Sequence, residues 1–120
     1  METVLFGTLI GHEGVVLEQA PGRHNFKFTV DIGTRFSIHT AAPGKAMLAH
    51  MGDTEVDGVL NKTDFVKLTE KTILTPEDYK EHLKKVRIQG FGVDCDEERE
   101  GMRCLGSAVF NQKKQPVAAI

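Results

Sequence analysis

The 120-residue chain predicts an α+β domain built on a largely antiparallel sheet, and three observations carry that reading. Short runs rich in β-branched residues open the chain and close it, separated by turn residues. The middle instead holds Ala-, Met- and Leu-rich stretches with the chemistry of helix starts. Strands grouped in runs, rather than alternating one by one with helices, are the pattern of α+β domains. The length suits one domain of ~100–150 residues, able to bury about two-thirds of its extended surface without staples.

Residues 3–10, TVLFGTLI, and residues 14–19, GVVLEQ, flank Gly11-His12-Glu13 and predict a hairpin. After the Pro21-Gly22 turn, residues 25–32 alternate cleanly: Phe26, Phe28, Val30 and Ile32 fall on one face, Lys27, Thr29 and Asp31 on the other. This predicts a third, half-buried strand. Residues 40–51, TAAPGKAMLAHM, predict a helix with Pro43 in its first turn, where a missing N–H costs little. A shorter helix is predicted from Asp53, with Val56, Val59 and Leu60 at helical spacing, and residues 62–74 read as loop with at most a short extended piece. Thr75-Pro76-Glu77-Asp78 combines a capping hydroxyl, a first-turn proline and two acids. Tyr79, Leu83 and Val86 continue as a buried stripe, and Gly90 supplies the stop. Two last strands are predicted around residues 103–111 and 116–120, joined by Gln112-Lys113-Lys114-Gln115.

Composition is that of an ordinary globular protein, 40% hydrophobic and 27% charged. A net charge of -2 argues against a sequence-independent nucleic-acid binder, and the basic clusters Lys84-Lys85-Arg87 and Lys113-Lys114 are too small to override it. No apolar run approaches the ~18 residues of a membrane span, and the first ten residues lack the Lys or Arg of a signal peptide. Two cysteines make no disulfide framework and suit a reducing compartment, so a cytoplasmic location is expected. The chain starts within two residues of a predicted strand and ends inside an apolar run. It therefore reads as a piece of a longer protein or a truncated gene product.

The segment GFGVDCDEEREGMRCLGSAVF, residues 90–110, concentrates the candidate chemistry. A structural zinc site wants paired ligand spacings such as C-x2-C, whereas Cys95 and Cys104 are far apart and lack an H-x3–5-H partner. No metal is expected. A thiol nucleophile wants a base and a positive setting; Cys95 lies among carboxylates, and Cys104 leads an apolar strand with Arg103 turned to the opposite face. No catalytic residue is expected either. Glu97, Glu98 and Glu100 read as a solvated face, while Asp94 ends the apolar approach Phe91-Gly92-Val93 and suits a partly buried, directed carboxylate. HTAAPGKA fails as a phosphate loop, since His39 and Ala46 stand where Gly and Ser or Thr are needed. Its small residues suit close packing of a helix start, which leaves backbone N–H groups open to a small carboxylate.

Three segments together resemble the effector-binding domain of IclR-type bacterial transcriptional regulators: residues 33–51 (GTRFSIHTAAPGKAMLAHM), residues 82–112 and the closing QPVAAI. Gly33, His39, Ala42, Gly44-Lys45, Arg87, Gly90, the acidic turn from Asp94 to Glu98, Gly101 and Cys104 carry the match, which covers nearly the whole chain in order and spacing. The resemblance implies a GAF- or profilin-like fold, a curved sheet flanked by helices. It implies a small-molecule pocket whose positions fall here on Phe28, Ala42, Pro43, Asp94, Met102 and Cys104. It further implies a small organic or aromatic acid as effector, no cofactor, no enzymatic activity, and a homodimer or homotetramer. The family's winged helix-turn-helix domain, its DNA-binding part, is absent from this sequence, as are a flanking helix at each end and a Ser-x-Ser segment beyond Ile120. A regulator's ligand-sensing domain is the expectation; the alternative is a stand-alone GAF-like binding module with no role at DNA.

Overall fold

The computed structural model describes all 120 residues, Met1–Ile120. Its elements run β1 (Val4–Ile10), β2 (Glu13–Ala20), β3 (Arg35–Phe36), α1 (Ala42–Leu48), α2 (Asp53–Leu60), α3 (Pro76–Gln89), β4 (Gly92–Cys95), β5 (Arg103–Gly106), β6 (Ala108–Phe110) and β7 (Pro116–Ala119). Five strands form one antiparallel sheet in the order β3-β2-β1-β7-β6, and β4 and β5 form a separate two-stranded ladder. The predicted α+β class with a mostly antiparallel sheet holds.

The opening hairpin forms as predicted, with Gly11 at φ 67°, a backbone conformation that favours glycine, closing Ile10 against Glu13. Gly14 pairs with Phe36, and the Phe36 ring lies where a side chain at Gly14 or Gly7 would project. Two glycines thus make room for one aromatic ring on the sheet.

The third strand predicted for residues 25–32 does not form. The β2 edge pairs instead with the two residues Arg35 and Phe36. Further along β2 the Gln19 side chain takes over from a ladder: its Oε1 accepts the Val30 N–H at 3.2 Å and its Nε2 donates to the Val30 carbonyl at 2.5 Å. The alternating apolar residues find no core to face, since Phe26 is 98% exposed and Phe28 53%. The predicted strand at residues 103–111 also divides. Gly106 ends β5 in the small ladder, and Ser107 exchanges two backbone hydrogen bonds with Ile120, at 2.7 and 2.9 Å, as the chain enters the large sheet.

The helices surround a core of Ile38, Leu48, Ala49, Val56, Val59, Leu60, Tyr79, Leu83 and Val86. At the start of α3 the Thr75 hydroxyl accepts the Asp78 N–H at 3.2 Å, and Gly90 ends the helix at φ 87°. Tyr79 is wholly buried and donates its hydroxyl to the Ile38 carbonyl at 2.5 Å. That bond ties α3 to the segment leading into α1. Helix α1 is buried along nearly its whole length, and Gly44 is required there because a Cβ would stand 2.8 Å from the Ile38 Cα. The small residues at this helix start serve close packing, as their pattern predicts.

Candidate functional site

The site is built where α1 meets the β4–β5 ladder. Gly92 pairs with Gly106 and Asp94 pairs with Cys104. Side chains two residues apart on a strand share a face, so all four positions look the same way. That face lies on the start of α1: a Cβ at Gly106 would stand 2.6 Å from the Ala42 carbonyl carbon and from the Pro43 nitrogen, and one at Gly92 would strike the Ala42 carbonyl oxygen. The two glycines press the ladder onto the helix start. The next residues along, Asp94 and Cys104, thereby stand beside it.

Asp94 is 1% exposed. Its Oδ1 accepts the Glu97 N–H at 2.9 Å, whereas its Oδ2 is buried with no hydrogen-bond partner. Burial raises its pKa above the ordinary carboxylate range, against the pull of the Glu97 and Glu98 N–H groups. Glu98 remains exposed overall, but its carboxyl leans inward to within 3.4 Å of the buried Thr40 hydroxyl. Its pKa is raised by partial burial and then by the Asp94 charge. Cys104 is half-buried, and its thiol pKa is raised by burial and then by Asp94 and Glu98. This partly buried, acid-rich corner disfavours the thiolate of Cys104. It suits hydrogen bonds to a donor-bearing ligand rather than nucleophilic attack.

Lys45 and Glu97 form the support beneath this corner, and sequence reasoning missed both. Glu97 is a correction: it belongs to no solvated face, being only 7% exposed, while Glu98 and Glu100 are exposed. The wholly buried Lys45 explains it, with Nζ 2.5 Å from Glu97 Oε2 and 2.8 Å from the Val93 carbonyl. A lysine on the buried side of a small-residue helix needs a buried partner; that was the available signal. Loop residues close the outer side, with the Thr72 hydroxyl on the Glu97 carbonyl at 2.7 Å and the Thr69 hydroxyl on the Asp96 carbonyl at 2.6 Å.

Of the residues predicted from sequence, Asp94, Cys104, Ala42 and Pro43 come together at this junction. Met102, partly buried, follows on the Cys104 side of the hairpin, where its carbonyl accepts the Asp96 N–H at 3.0 Å. Phe28 lies in the coil after β2, and its carbonyl accepts from the Thr3 hydroxyl at 2.6 Å. The hydrogen bonds of its segment run to Thr3, just before β1, and to Gln19 of β2, not to α1 or the β4–β5 hairpin. Two surface concavities lie to the side: one lined by Thr69, Glu70, Lys71, Asp96 and Glu100, the other between α1, α2 and α3. No three His, Cys, Asp or Glu side chains converge as metal ligands would. No helix is long and apolar enough to cross a membrane.

Comparison with known proteins agrees with this architecture. The family model described as the bacterial transcriptional regulator IclR C-terminal domain matches residues 1–120. The chain is 30% identical over 109 residues to the transcriptional repressor IclR of Escherichia coli, covering 91% of this chain and 40% of that protein. Among solved structures, the Thermotoga maritima IclR superposes with a TM-score of 0.91 at 30% identity, over 98% of this chain and 48% of that one. The C-terminal domain of the E. coli regulator KdgR superposes with a TM-score of 0.89 at 30% identity, over 98% of this chain and 67% of that one. The chain thus spans less than half the length of the repressor it matches. A match along all 120 residues, together with the same fold in two solved regulators at 30% identity, places this chain in the IclR family, as its C-terminal type of domain.

Proposed function

We propose that this domain senses a small organic or aromatic acid that carries a hydroxyl or hydrated carbonyl, and thereby controls DNA binding by a longer, oligomeric regulator. The observation that carries the reading is the Asp94 Oδ2 atom, buried with no hydrogen-bond partner. Such an atom is costly in a finished core and natural in a site that awaits a donor. A ligand hydroxyl would supply the missing donor, with Cys104 opposite Asp94 on the ladder. Phe28 belongs to a separate loop, and the reading does not depend on it.

The activity proposed is binding without turnover, with no metal or cofactor. The half-buried setting of Cys104 among carboxylates, which disfavours the thiolate, supports this. DNA contact is assigned to a winged-helix domain outside this sequence, in keeping with relatives such as the HTH-type transcriptional regulator XynR of Escherichia coli. A homodimer or homotetramer gives the effector two subunit arrangements to discriminate, the physical requirement for shifting a DNA-binding equilibrium. A thermal-shift series with small 2-hydroxy acids, 2-oxo acids and hydroxybenzoates tests the reading. At least one class raises Tm in a concentration-dependent way; no shift with any of them at millimolar concentration contradicts it.

A further inference from the structure

Lys45 and Glu97 do not contact the free Asp94 oxygen, yet the hydrogen bonds that tie the acidic turn to α1 and to Asp94 Oδ1 pass through them. Lys45 Nζ holds both the Glu97 carboxylate, at 2.5 Å, and the Val93 carbonyl, at 2.8 Å. Glu97 Oε2 also accepts the Cys95 N–H at 3.3 Å. The Glu97 main chain then donates its N–H to Asp94 Oδ1 at 2.9 Å and accepts the Thr72 hydroxyl at 2.7 Å. Asp96, between them, sits at φ 60°, an uncommon conformation for a residue other than glycine, which needs such fixing.

A buried ion pair contributes little stability beyond what apolar residues of the same volume would give. The Lys45–Glu97 pair is 0% and 9% exposed at its side chains and reaches across 52 positions of sequence. Its geometric consequence is specific: the Glu97 N–H occupies one Asp94 oxygen, and only the other, Oδ2, is left free. We propose that the Lys45–Glu97 pair is the positioning element of the ligand site, holding the turn so that Asp94 presents a single unpartnered oxygen beside Cys104. The inference rests on the reading of Asp94 as a ligand contact. Lys45 and Glu97 act through Asp94 and touch no ligand themselves.

The test replaces both partners, Lys45→Met with Glu97→Leu, so that no buried charge is left alone. A second variant, Glu97→Asp, keeps the charge but withdraws the carboxylate by one methylene. In each folded variant the Asp94 carboxyl is titrated by carbon-detected NMR and Cys104 is alkylated with iodoacetamide. If the pair positions the turn, Asp94 gains water and, in Glu97→Asp, where both charges are kept, titrates closer to the ordinary carboxylate range. Cys104 then reacts about tenfold faster in the double variant and less so in Glu97→Asp, as local opening exposes it. Unchanged Asp94 titration and unchanged Cys104 reactivity in either folded variant would overturn the proposal, and Glu97→Asp decides alone if the double variant does not fold. Neither readout uses a ligand. A wild-type protein that binds none of the acids would remove the functional reading and leave this result standing.

Discussion

Asp94 and Cys104 stand directly opposite each other on the β4–β5 ladder, one pleat beyond the glycine pair Gly92 and Gly106. The glycines seat the ladder on the start of α1, and the next pair along that face becomes the wall of the candidate site. Packing and the candidate site therefore share one face of one hairpin.

The seating depends on glycine. Gly106→Ala places a Cβ 2.6 Å from α1 backbone atoms that no rotamer change can move. The expected cost is about 1–3 kcal/mol, typical of overpacking in a tight core. Urea denaturation followed by circular dichroism measures it, and a midpoint equal to wild type would show that the hairpin does not lie so close to the helix.

Lys45→Met alone leaves the Glu97 carboxylate buried without its partner. A loss of about 3–5 kcal/mol is expected, as for other broken buried pairs. Adding Glu97→Leu recovers most of that loss, because the stranded charge goes with it. A double-mutant cycle on unfolding free energies measures the coupling; additive losses would mean that the two charges are solvated independently.

His82 provides the pH dependence. Burial, and then the charges of Lys45 and Lys85, lower its pKa to about 4, and its Nε2 is buried without a partner. The folded state therefore binds fewer protons than the unfolded chain, where histidine titrates at about 6.5. Its contribution is fully present above ~6.5 and is lost as pH falls through 4, so stability declines across that window. The decline attributable to His82 is about 1–2 kcal/mol after allowance for screening at its partly exposed edge. His82→Leu flattens the dependence of Tm on pH between 4 and 6.5, provided the fold is kept.

Cys104 is expected to be a slow thiol. Burial and then the charges of Asp94 and Glu98 raise its pKa, so less thiolate is present at neutral pH than in a free cysteine. Iodoacetamide labelling followed by peptide mass analysis reads its rate. Asp94→Asn and Glu98→Gln each speed the reaction by removing a like charge, whereas a wild-type rate above that of free cysteine would reopen the case for a nucleophile.

Much of this architecture was legible locally. The opening hairpin announces itself by β-branched runs around Gly11, and α3 by Thr75, Pro76 and Gly90. Asp94 and Cys104 stood out because each borders an apolar segment, and the ladder register joins them. What stayed hidden depends on distant partners. Residues 25–32 have the period of a strand, but Arg35 and Phe36 occupy the β2 edge and Gln19 clamps Val30 with its side chain. The change of sheet at Ser107 is decided by its pairing with Ile120. Glu97 looks solvated among its acidic neighbours until Lys45, remote in sequence, is placed beneath it. Alternation and capping are properties of a segment, whereas burial of a charge is a property of a pair.

The central claim is that the free oxygen of Asp94 receives the ligand's donor, and calorimetry of wild type against Asp94→Ala tests it most directly. The titrant is whichever hydroxy or oxo acid raises the wild-type Tm most. The account predicts that Asp94→Ala stays folded and binds at least about tenfold more weakly, the loss expected for one buried hydrogen bond to a charged group. A folded Asp94→Ala with wild-type affinity would contradict it.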